Sequence, residues 1–142
     1  MSLETIELWH QRARPEPTAE DLNVQLGCHL EEIVEMFDAL KFKHFDWSAM
    51  QHSLKLLADA LKNGSEKVTI LDRRELLDAL ADQIVTAVGV GHCADMNVPA
   101  AAGRVDFSNW SKYDTRGQPL FKPNGKIDKG PDYKPPVLDG LF

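Results

Sequence analysis

The chain has 142 residues, enough for one domain with a hydrophobic core, and its hydrophobic fraction of 43% is ordinary for a globular protein. Sixteen basic against 22 acidic residues give a net charge of −6, which argues against general nucleic-acid binding. No apolar stretch reaches the roughly 18 residues that a membrane-spanning helix needs, and the first residues do not resemble a secretory signal. A cytoplasmic protein without membrane or nucleic-acid partners is therefore expected.

Two helices are predicted in the first third of the chain. The first covers Ser2 to about Ala13 and ends before a pair of prolines. The second begins at Thr18, where Asp21 completes a capping box, and runs to about Phe42. Apolar side chains repeat along this second helix at steps of three and four residues, which is typical of a bundle seam. These side chains are Leu26, Leu30, Ile33, Phe37 and Leu40.

Three further helices are predicted from capping signals. Asp46 begins the third and Asn63-Gly64 ends it, since glycine accepts the left-handed conformation of a helix end. The segment Thr69-Ile-Leu-Asp72 caps the fourth, which continues to about Met96. A short fifth helix, with Pro99 at an early position, follows. The fifth helix is expected to cover about 97–112.

Helical periodicity stops after the fifth helix, where glycine and proline become frequent. The fold class predicted is all-α, a bundle of four or five helices in one domain spanning 1–142. Its helical body covers about 1–112, and an extended, Pro/Gly-rich C-terminal arm covers about 113–142. The two cysteines, Cys28 and Cys93, are expected to be small buried hydrophobic residues in a reducing compartment.

Four acidic side chains are crowded into the second predicted helix: Glu31, Glu32, Glu35 and Asp38. Glu31 and Glu35 are helical neighbours of like charge, and no glutamate of the group has a Lys or Arg three or four positions later. Because this arrangement does not stabilise a helix, a bound cation is the natural explanation. Carboxylate oxygens are the ligands that Mg²⁺ prefers, with Mn²⁺ as a possible substitute.

A second acidic stripe lies on the fourth predicted helix, where Glu75, Asp78 and Asp82 share one side. No Lys or Arg occurs from Glu75 to Met96, which is unusual for a face exposed to solvent. Small residues extend the stripe, so close approach of another helix or a ligand is expected. This helix is therefore predicted to be central, with its acidic side chains buried at one end.

Two facing acidic stripes would make an oxygen-ligand cage for one or two Mg²⁺ ions. A di-iron carboxylate bundle is set aside because neither stripe has a histidine three residues after an acidic residue. The proposed ligands are Glu32 and Glu35 from one helix and Asp78 and Asp82 from the other, with Glu75 and Glu31 as additional ligands or as groups that orient a water.

The pattern Glu32-Ile-Val-Glu35 is followed, in order, by three more segments that resemble one family. The four segments are 25–35, 80–89, 108–114 and 125–136. Together they are similar to the all-α nucleoside triphosphate pyrophosphohydrolases, which are MazG-like proteins related to phosphoribosyl-ATP pyrophosphohydrolase and the dimeric dUTPases. The second motif departs from the family's usual ExxD, because Ala79 stands where glutamate is expected and Glu75 with Asp78 satisfies the motif one turn earlier.

The resemblance implies Mg²⁺-dependent hydrolysis of a nucleoside triphosphate to the monophosphate and pyrophosphate. Glu32, Glu35 and Asp82, with Asp78, would hold the ion, which would neutralise phosphate charge and lower the pKa of a bound water. Glu31 or Glu35 would then accept the proton of that water. Both glutamates are therefore candidate catalytic residues.

The same resemblance implies that the C-terminal segments contact a nucleotide. Lys112, Lys126 and Lys129 would contact phosphates as point charges, and Asn109 would hydrogen-bond the base or sugar. Tyr133 belongs to the last of these segments. A homodimer or homotetramer is expected, both from the family and from apolar residues on several sides of the fourth helix. The alternative is a non-catalytic helical module that binds a nucleotide or a partner, which the alanine at position 79 favours.

Overall fold

The computed structural model describes residues 2–142, in which we find five α-helices and no β-strand. The predicted all-α class is therefore confirmed. No helix in this described part of the chain combines the length and apolarity needed to cross a membrane. The helices are α1 (Leu3–Ala13), α2 (Ala19–Asp38), α3 (Trp47–Asn63), α4 (Arg73–Cys93) and α5 (Val98–Trp110).

The chain divides into two compact units. The first, here called the α1/α4/α5 unit, consists of 1–15, 69–120 and 129–142; the second, the α2/α3 unit, consists of 16–68 and 121–128. The predicted single domain, with its body at 1–112 and its arm at 113–142, stays a prediction.

Local capping explains where the helices begin. The backbone N–H of Thr18 donates to Asp21 Oδ2 at 2.9 Å and the N–H of Asp21 donates to Thr18 Oγ1 at 3.2 Å, which is the predicted capping box. Asp46 and Asp72 each accept the N–H of a residue in the first turn of α3 and α4. Gly64 ends α3 with φ of 81°, as its position predicted.

Two helices end earlier than predicted. α2 stops at Asp38 rather than near Phe42, because the chain turns back and places Phe42 against Phe37 and Trp47, with ring centroids 6.0 and 6.2 Å away. α4 stops at Cys93 rather than near Met96, because Asp95 adopts φ of 58°. In both cases the conformation of the chain after the helix overrides the helix's apolar periodicity.

In the α1/α4/α5 unit, α1 is fastened to α5 and to the residues that follow it. Thr5 Oγ1 donates to Asp106 Oδ2 at 2.8 Å, and the indole N–H of Trp9 donates to the carbonyl of Asn109 at 2.9 Å. Trp9 also stacks on Tyr113, whose hydroxyl donates to the Trp9 carbonyl. Burial raises the pKa of Tyr113 to about 12, so its hydroxyl stays protonated as a donor at neutral pH.

In the α2/α3 unit, the two helices approach closely at Gly27. A Cβ at this position would lie 2.7 Å from both the carbonyl oxygen of Ala58 and Cγ of Lys62. The buried residues of α2 include Val24, Gly27 and Val34, whereas the predicted seam through Leu26, Leu30, Ile33 and Phe37 is only half-buried. The packed face is thus rotated by about one residue from the predicted one, and this rotation turns Glu31 toward α3.

The chain after α5 contains no helix and is held by short polar contacts. In the α1/α4/α5 unit, Ser108 Oγ donates to the carbonyl of Lys134 at 2.6 Å, and Ser111 Oγ accepts the Lys134 N–H at 2.8 Å. In the α2/α3 unit, residues 121–128 form a tight hairpin, closed by an isolated antiparallel bridge between Phe121 and Ile127.

The prediction that both cysteines are buried is wrong. Cys93 is exposed at the last position of α4, and Cys28 on α2 is partly buried. The prediction was based on the usual burial of free cysteine, whereas Cys28 lies beside the packed face of α2 and Cys93 lies at the exposed end of α4.

Candidate functional site

The carboxylate of Glu31 lies between two lysines in the α2/α3 unit. One oxygen forms an ion pair with Lys62 of α3, and Oε2 accepts a hydrogen bond from Lys126 Nζ at 2.7 Å. Lys62 Nζ also lies 3.3 Å from Asp59 Oδ1. We call Glu31, Asp59, Lys62 and Lys126 the Glu31 cluster; with two positive and two negative groups it is formally neutral.

The two lysines keep Glu31 ionised. Partial burial by itself would raise the pKa of the Glu31 carboxyl, but the hydrogen bonds and charges of Lys126 and Lys62 outweigh burial and lower it. The pKa of Lys126 is raised, chiefly by its hydrogen bond to Glu31. Burial opposes the charge of Lys62, yet hydrogen bonds to Glu31 and Asp59 raise its pKa as well.

The Glu31 cluster should make stability depend on pH. Because the folded-state pKa of Glu31 is depressed, its contribution is complete above the ordinary value of 4.5 and is lost as pH falls through the lower folded value. We expect Glu31→Gln to lower the free energy of unfolding by about 1–2 kcal/mol at pH 7, and the difference from wild type to shrink below pH 4.5. Urea unfolding at a series of pH values measures this, with the exposed Glu16→Gln as control. A difference that persists unchanged down to pH 3 would contradict it.

A small cavity adjoins the Glu31 cluster. Its volume is about 180 Å³, and Glu31, Val34, Glu35, Lys55, Ala58 and Asp59 line it. Sites for drug-sized ligands are larger, roughly 300–1,000 Å³, so this cavity is too small for a whole nucleotide. Glu35 is exposed at its edge. The structure therefore brings two predicted site residues, Glu31 and Glu35, to one opening.

Asp38, the last residue of the first acidic stripe, is held by residues of α3. It accepts the indole N–H of Trp47 at 2.7 Å and a hydrogen bond from Gln51, and Lys55 Nζ lies 3.5 Å away. The hydrogen bond from Trp47 is the main cause of its lowered pKa. Asp38 thus connects the end of α2 to the beginning of α3.

The hairpin at 121–128 carries Lys126 to α2 from 95 residues along the chain. Its backbone is closed by the Lys122 N–H donating to the Lys126 carbonyl at 2.8 Å and by the Gly125 N–H donating to the Lys122 carbonyl at 2.9 Å. Gly125 has φ of 79°, and a Cβ there would lie 3.2 Å from Val24 of α2. The first and fourth segments of the family resemblance therefore meet at Glu31.

The second acidic stripe is exposed, contrary to the expectation of a central helix with buried acids. Glu75, Asp78 and Asp82 are all exposed, and within its own unit α4 packs against α5. Part of the exposed surface of α4 is also apolar, since Leu77 is 70% exposed and Val85 is 67% exposed. For the single chain, the prediction that α4 is contacted on several sides is wrong.

The other predicted substrate contacts lie in the α1/α4/α5 unit. Lys112 Nζ is 5.7 Å from the ring centroid of Trp9, and Lys129 Nζ is 4.7 Å from the ring centroid of Tyr133. Asn109 uses its backbone carbonyl for Trp9. Ser108 and Ser111 hydrogen-bond the backbone of Lys134, so this segment has a structural role besides any contact with substrate.

The carboxylates present fit the chemistry of a magnesium site, because Mg²⁺ takes oxygen ligands and Glu32, Glu35, Asp78 and Asp82 are exposed carboxylates. Among residues 2–142, however, no three or more His, Cys, Asp or Glu side chains lie close enough together to hold a metal ion. The donor chemistry is therefore suitable, and an assembled ligand set is not found in the described part of the chain.

Lys62 is the main site residue that the sequence did not reveal. Its side chain is 8% exposed, and it joins Glu31 to α3. The available signal was indirect: a glycine inside α2 at position 27 leaves room for a long side chain from a neighbouring helix. No spacing in the sequence connects positions 31 and 62.

Comparison with known proteins adds no assignment: no family model matches the sequence, no curated protein matches it, and no solved structure matches the fold. The resemblance to the nucleoside triphosphate pyrophosphohydrolases consequently depends on the four sequence segments, and it stays a prediction.

Proposed function

We propose that the protein is a Mg²⁺-dependent nucleoside triphosphate pyrophosphohydrolase, which converts a (d)NTP and water to the (d)NMP and pyrophosphate and so clears or controls a nucleotide pool. The observation that carries the proposal is the contact between Lys126 and Glu31 beside Glu35. This contact supports the proposal because Lys126, a cation able to neutralise phosphate, meets Glu31 one helical turn from the exposed Glu35, a carboxylate able to activate a water. Both come from segments that resemble this family.

The roles of the α2 carboxylates follow from their surroundings. Glu31 is held by Lys62 and Lys126 with a lowered pKa, which makes it a weaker proton acceptor than an ordinary glutamate. Glu35 is exposed at the cavity and is the better placed to take a proton from an attacking water. Lys126, and Lys112 and Lys129 with it, would neutralise phosphate charge, while Asn109 and Tyr133 would contact the nucleoside.

Glu32, Glu35, Asp78 and Asp82, with Glu75, are the proposed ligands of Mg²⁺, or of Mn²⁺ in its place. When bound, the ion would offset the repulsion between this acidic surface and a triphosphate and would make a coordinated water more acidic. Everything else in the proposed reaction is assigned to side chains: Glu35 takes the proton, and the lysines orient the leaving pyrophosphate.

The direct test is release of pyrophosphate from a panel of common and modified nucleoside triphosphates, with and without Mg²⁺. We expect turnover of at least one, and its loss in EDTA. Isothermal titration with Mg²⁺ and the same nucleotides separates the alternative class: binding without turnover would identify a non-catalytic module. Absence of both turnover and binding would overturn the proposal and leave a structural helical protein.

We propose further that the protein assembles as a homodimer or homotetramer through α4, which would complete the predicted bundle and cover the chain from 113 to 142. Support comes from the exposed apolar residues of α4, which extend from Leu77 to Val90, at 70% and 59% exposure. A monomeric mass in sedimentation equilibrium at micromolar concentration would contradict this assembly.

A further inference from the structure

A groove lies between α5 and the chain segment 134–137, both in the α1/α4/α5 unit. Its volume is about 630 Å³, within the roughly 300–1,000 Å³ of sites for small organic ligands. We infer that this groove, here called the α5 groove, binds an amphipathic carboxylate: a small molecule with one carboxylate group and an apolar aliphatic or aromatic body. None of the proposed metal ligands or nucleotide contacts lines it, so the inference does not depend on the proposed enzyme activity.

The walls of the α5 groove offer apolar contact area. Ala100, Gly103 and Phe107 follow one another at steps of three and four residues, so they share one face of α5. The first two have little or no side chain, which leaves room between the helix and the opposite wall, formed by Pro-Pro-Val at 135–137. Phe107 is 70% exposed. An apolar ligand body in the groove would remove this ring from water, which is favourable.

The charge of the α5 groove points to an anion. Arg104 and Lys134 line it, and no acidic residue does. In a chain of net charge −6, this lining is a local reversal of sign. Within residues 2–142, neither of the two cations forms an ion pair with a carboxylate. Charge complementarity therefore favours an anionic ligand over a cationic one of the same size.

Arg104 is fixed in a way that leaves one edge of its guanidinium open. Its Nη1 donates to the carbonyls of Val137 at 2.7 Å and Asp139 at 3.0 Å. A guanidinium has five N–H donors, so these two bonds leave three, on Nε and Nη2. That edge matches the two oxygens of a carboxylate. Because the tail already holds the side chain, little rotamer freedom is lost when a ligand binds.

A nucleoside triphosphate suits the α5 groove less well than an amphipathic carboxylate. The triphosphate carries several negative charges against two cations, and apolar walls would leave polar groups of the sugar without partners. An amphipathic carboxylate places its single charge at Arg104 and Lys134, and its apolar body against Phe107 and the wall at 135–137. Both parts of the ligand then meet the chemistry that lines the groove.

The experiment is an amide NMR titration of the full chain with phenylbutyrate. Phenylbutanol and phenylbutylamine are titrated in parallel, because they carry the same apolar body on a neutral and a cationic head group. We expect the amide signals of α5 and of Lys134 and Val137 to shift. Phenylbutyrate should bind about tenfold more tightly than phenylbutanol, since only the carboxylate makes charge-assisted hydrogen bonds, and phenylbutylamine should bind most weakly. A nucleoside triphosphate should not displace phenylbutyrate.

Two exposed side chains of the α5 groove can be changed without removing the bonds that hold the tail. Phe107→Ser should weaken phenylbutyrate binding about fivefold, through lost apolar contact. Lys134→Gln should weaken it about threefold, as expected for one partly exposed charge. Lys41→Gln makes the same chemical change at an exposed lysine of the α2/α3 unit and should leave the affinity unchanged.

Equal affinity for phenylbutyrate and phenylbutanol would overturn the inference, because the two cations would then take no part in binding. Shifts confined to residues outside the α5 groove, or no shifts up to the solubility limit of the ligand, would overturn it as well. If the α5 signals instead move with protein concentration in the absence of ligand, the groove is covered by a second copy of the chain and the inference is wrong.

Discussion

Replacing Glu35 by glutamine is expected to abolish pyrophosphate release while leaving the helical circular-dichroism signal unchanged. General-base catalysis contributes about 10²–10⁴-fold, and a carboxylate that also contacts the metal would add to this loss. Glu35 is exposed at the edge of the cavity, so its substitution should change the free energy of unfolding by less than about 0.5 kcal/mol. Steady-state assay on the best substrate of the nucleotide panel measures the effect.

Glu16→Gln is the matched control for this prediction, because it makes the same chemical change at an exposed glutamate of the same unit. Its activity should equal that of wild type. Comparison with Glu31→Gln separates the two candidate catalytic residues: Glu35→Gln should lower kcat, whereas Glu31→Gln should act mainly on KM. Full activity of Glu35→Gln, or of the wild type in EDTA, would refute the mechanism.

Substitution of Gly27 by alanine should destabilise the protein by about 2–3 kcal/mol, because overpacking of a close helix contact has a cost of this size. The added Cβ would meet the carbonyl oxygen of Ala58 and Cγ of Lys62, both at 2.7 Å. Neither can retreat easily: the carbonyl belongs to the backbone of α3, and Lys62 is held by its ion pair with Glu31. We therefore expect the Tm to fall by roughly 4–12 °C.

Gly89→Ala provides the matched control, since it introduces the same methyl group into an exposed helix. No described atom lies within 4 Å of a Cβ at this position of α4. Alanine is the better helix former, so the variant should be more stable by about 0.5–1 kcal/mol. Thermal unfolding followed by circular dichroism compares both variants. A stable Gly27→Ala would refute the close α2–α3 contact, and a destabilised Gly89→Ala would show that another surface covers α4.

The helix beginnings could be predicted because their causes are local. Thr18 and Asp21 cap α2 from within four residues, and Asp46 and Asp72 act over a similar distance. Helix ends were less predictable, because they depend on what the chain does next. Phe42 continues the apolar period of α2, yet its ring packs with Trp47 only if the helix has already ended.

In the candidate site, too, local features could be predicted and long-range contacts could not. The acidic residues of α2 could be found from their spacing, and the sequence resemblance pointed to Lys126. Their meeting at 2.7 Å could not be predicted, since 95 residues separate them. Lys62 was missed for the same reason, and its contact with Glu31 also depends on the rotation of the packed face of α2. The exposure of α4 was mispredicted from its small residues and its lack of Lys and Arg. These features indicate a covered helix face, but they do not show whether the same chain or another one covers it.

The Glu31 cluster also has a consequence for the order of events on the ribosome. α2 and α3 are neighbours in sequence and can pair as soon as both have emerged, which already joins Glu31 to Lys62. Lys126 is translated much later, and the Tyr113–Trp9 contact likewise spans 104 positions. In a nascent chain, Glu31 therefore has only one of its two lysine partners until the hairpin at 121–128 forms. Contacts between residues so far apart in sequence slow folding. Neither unit can be completed before residues beyond 120 have been translated.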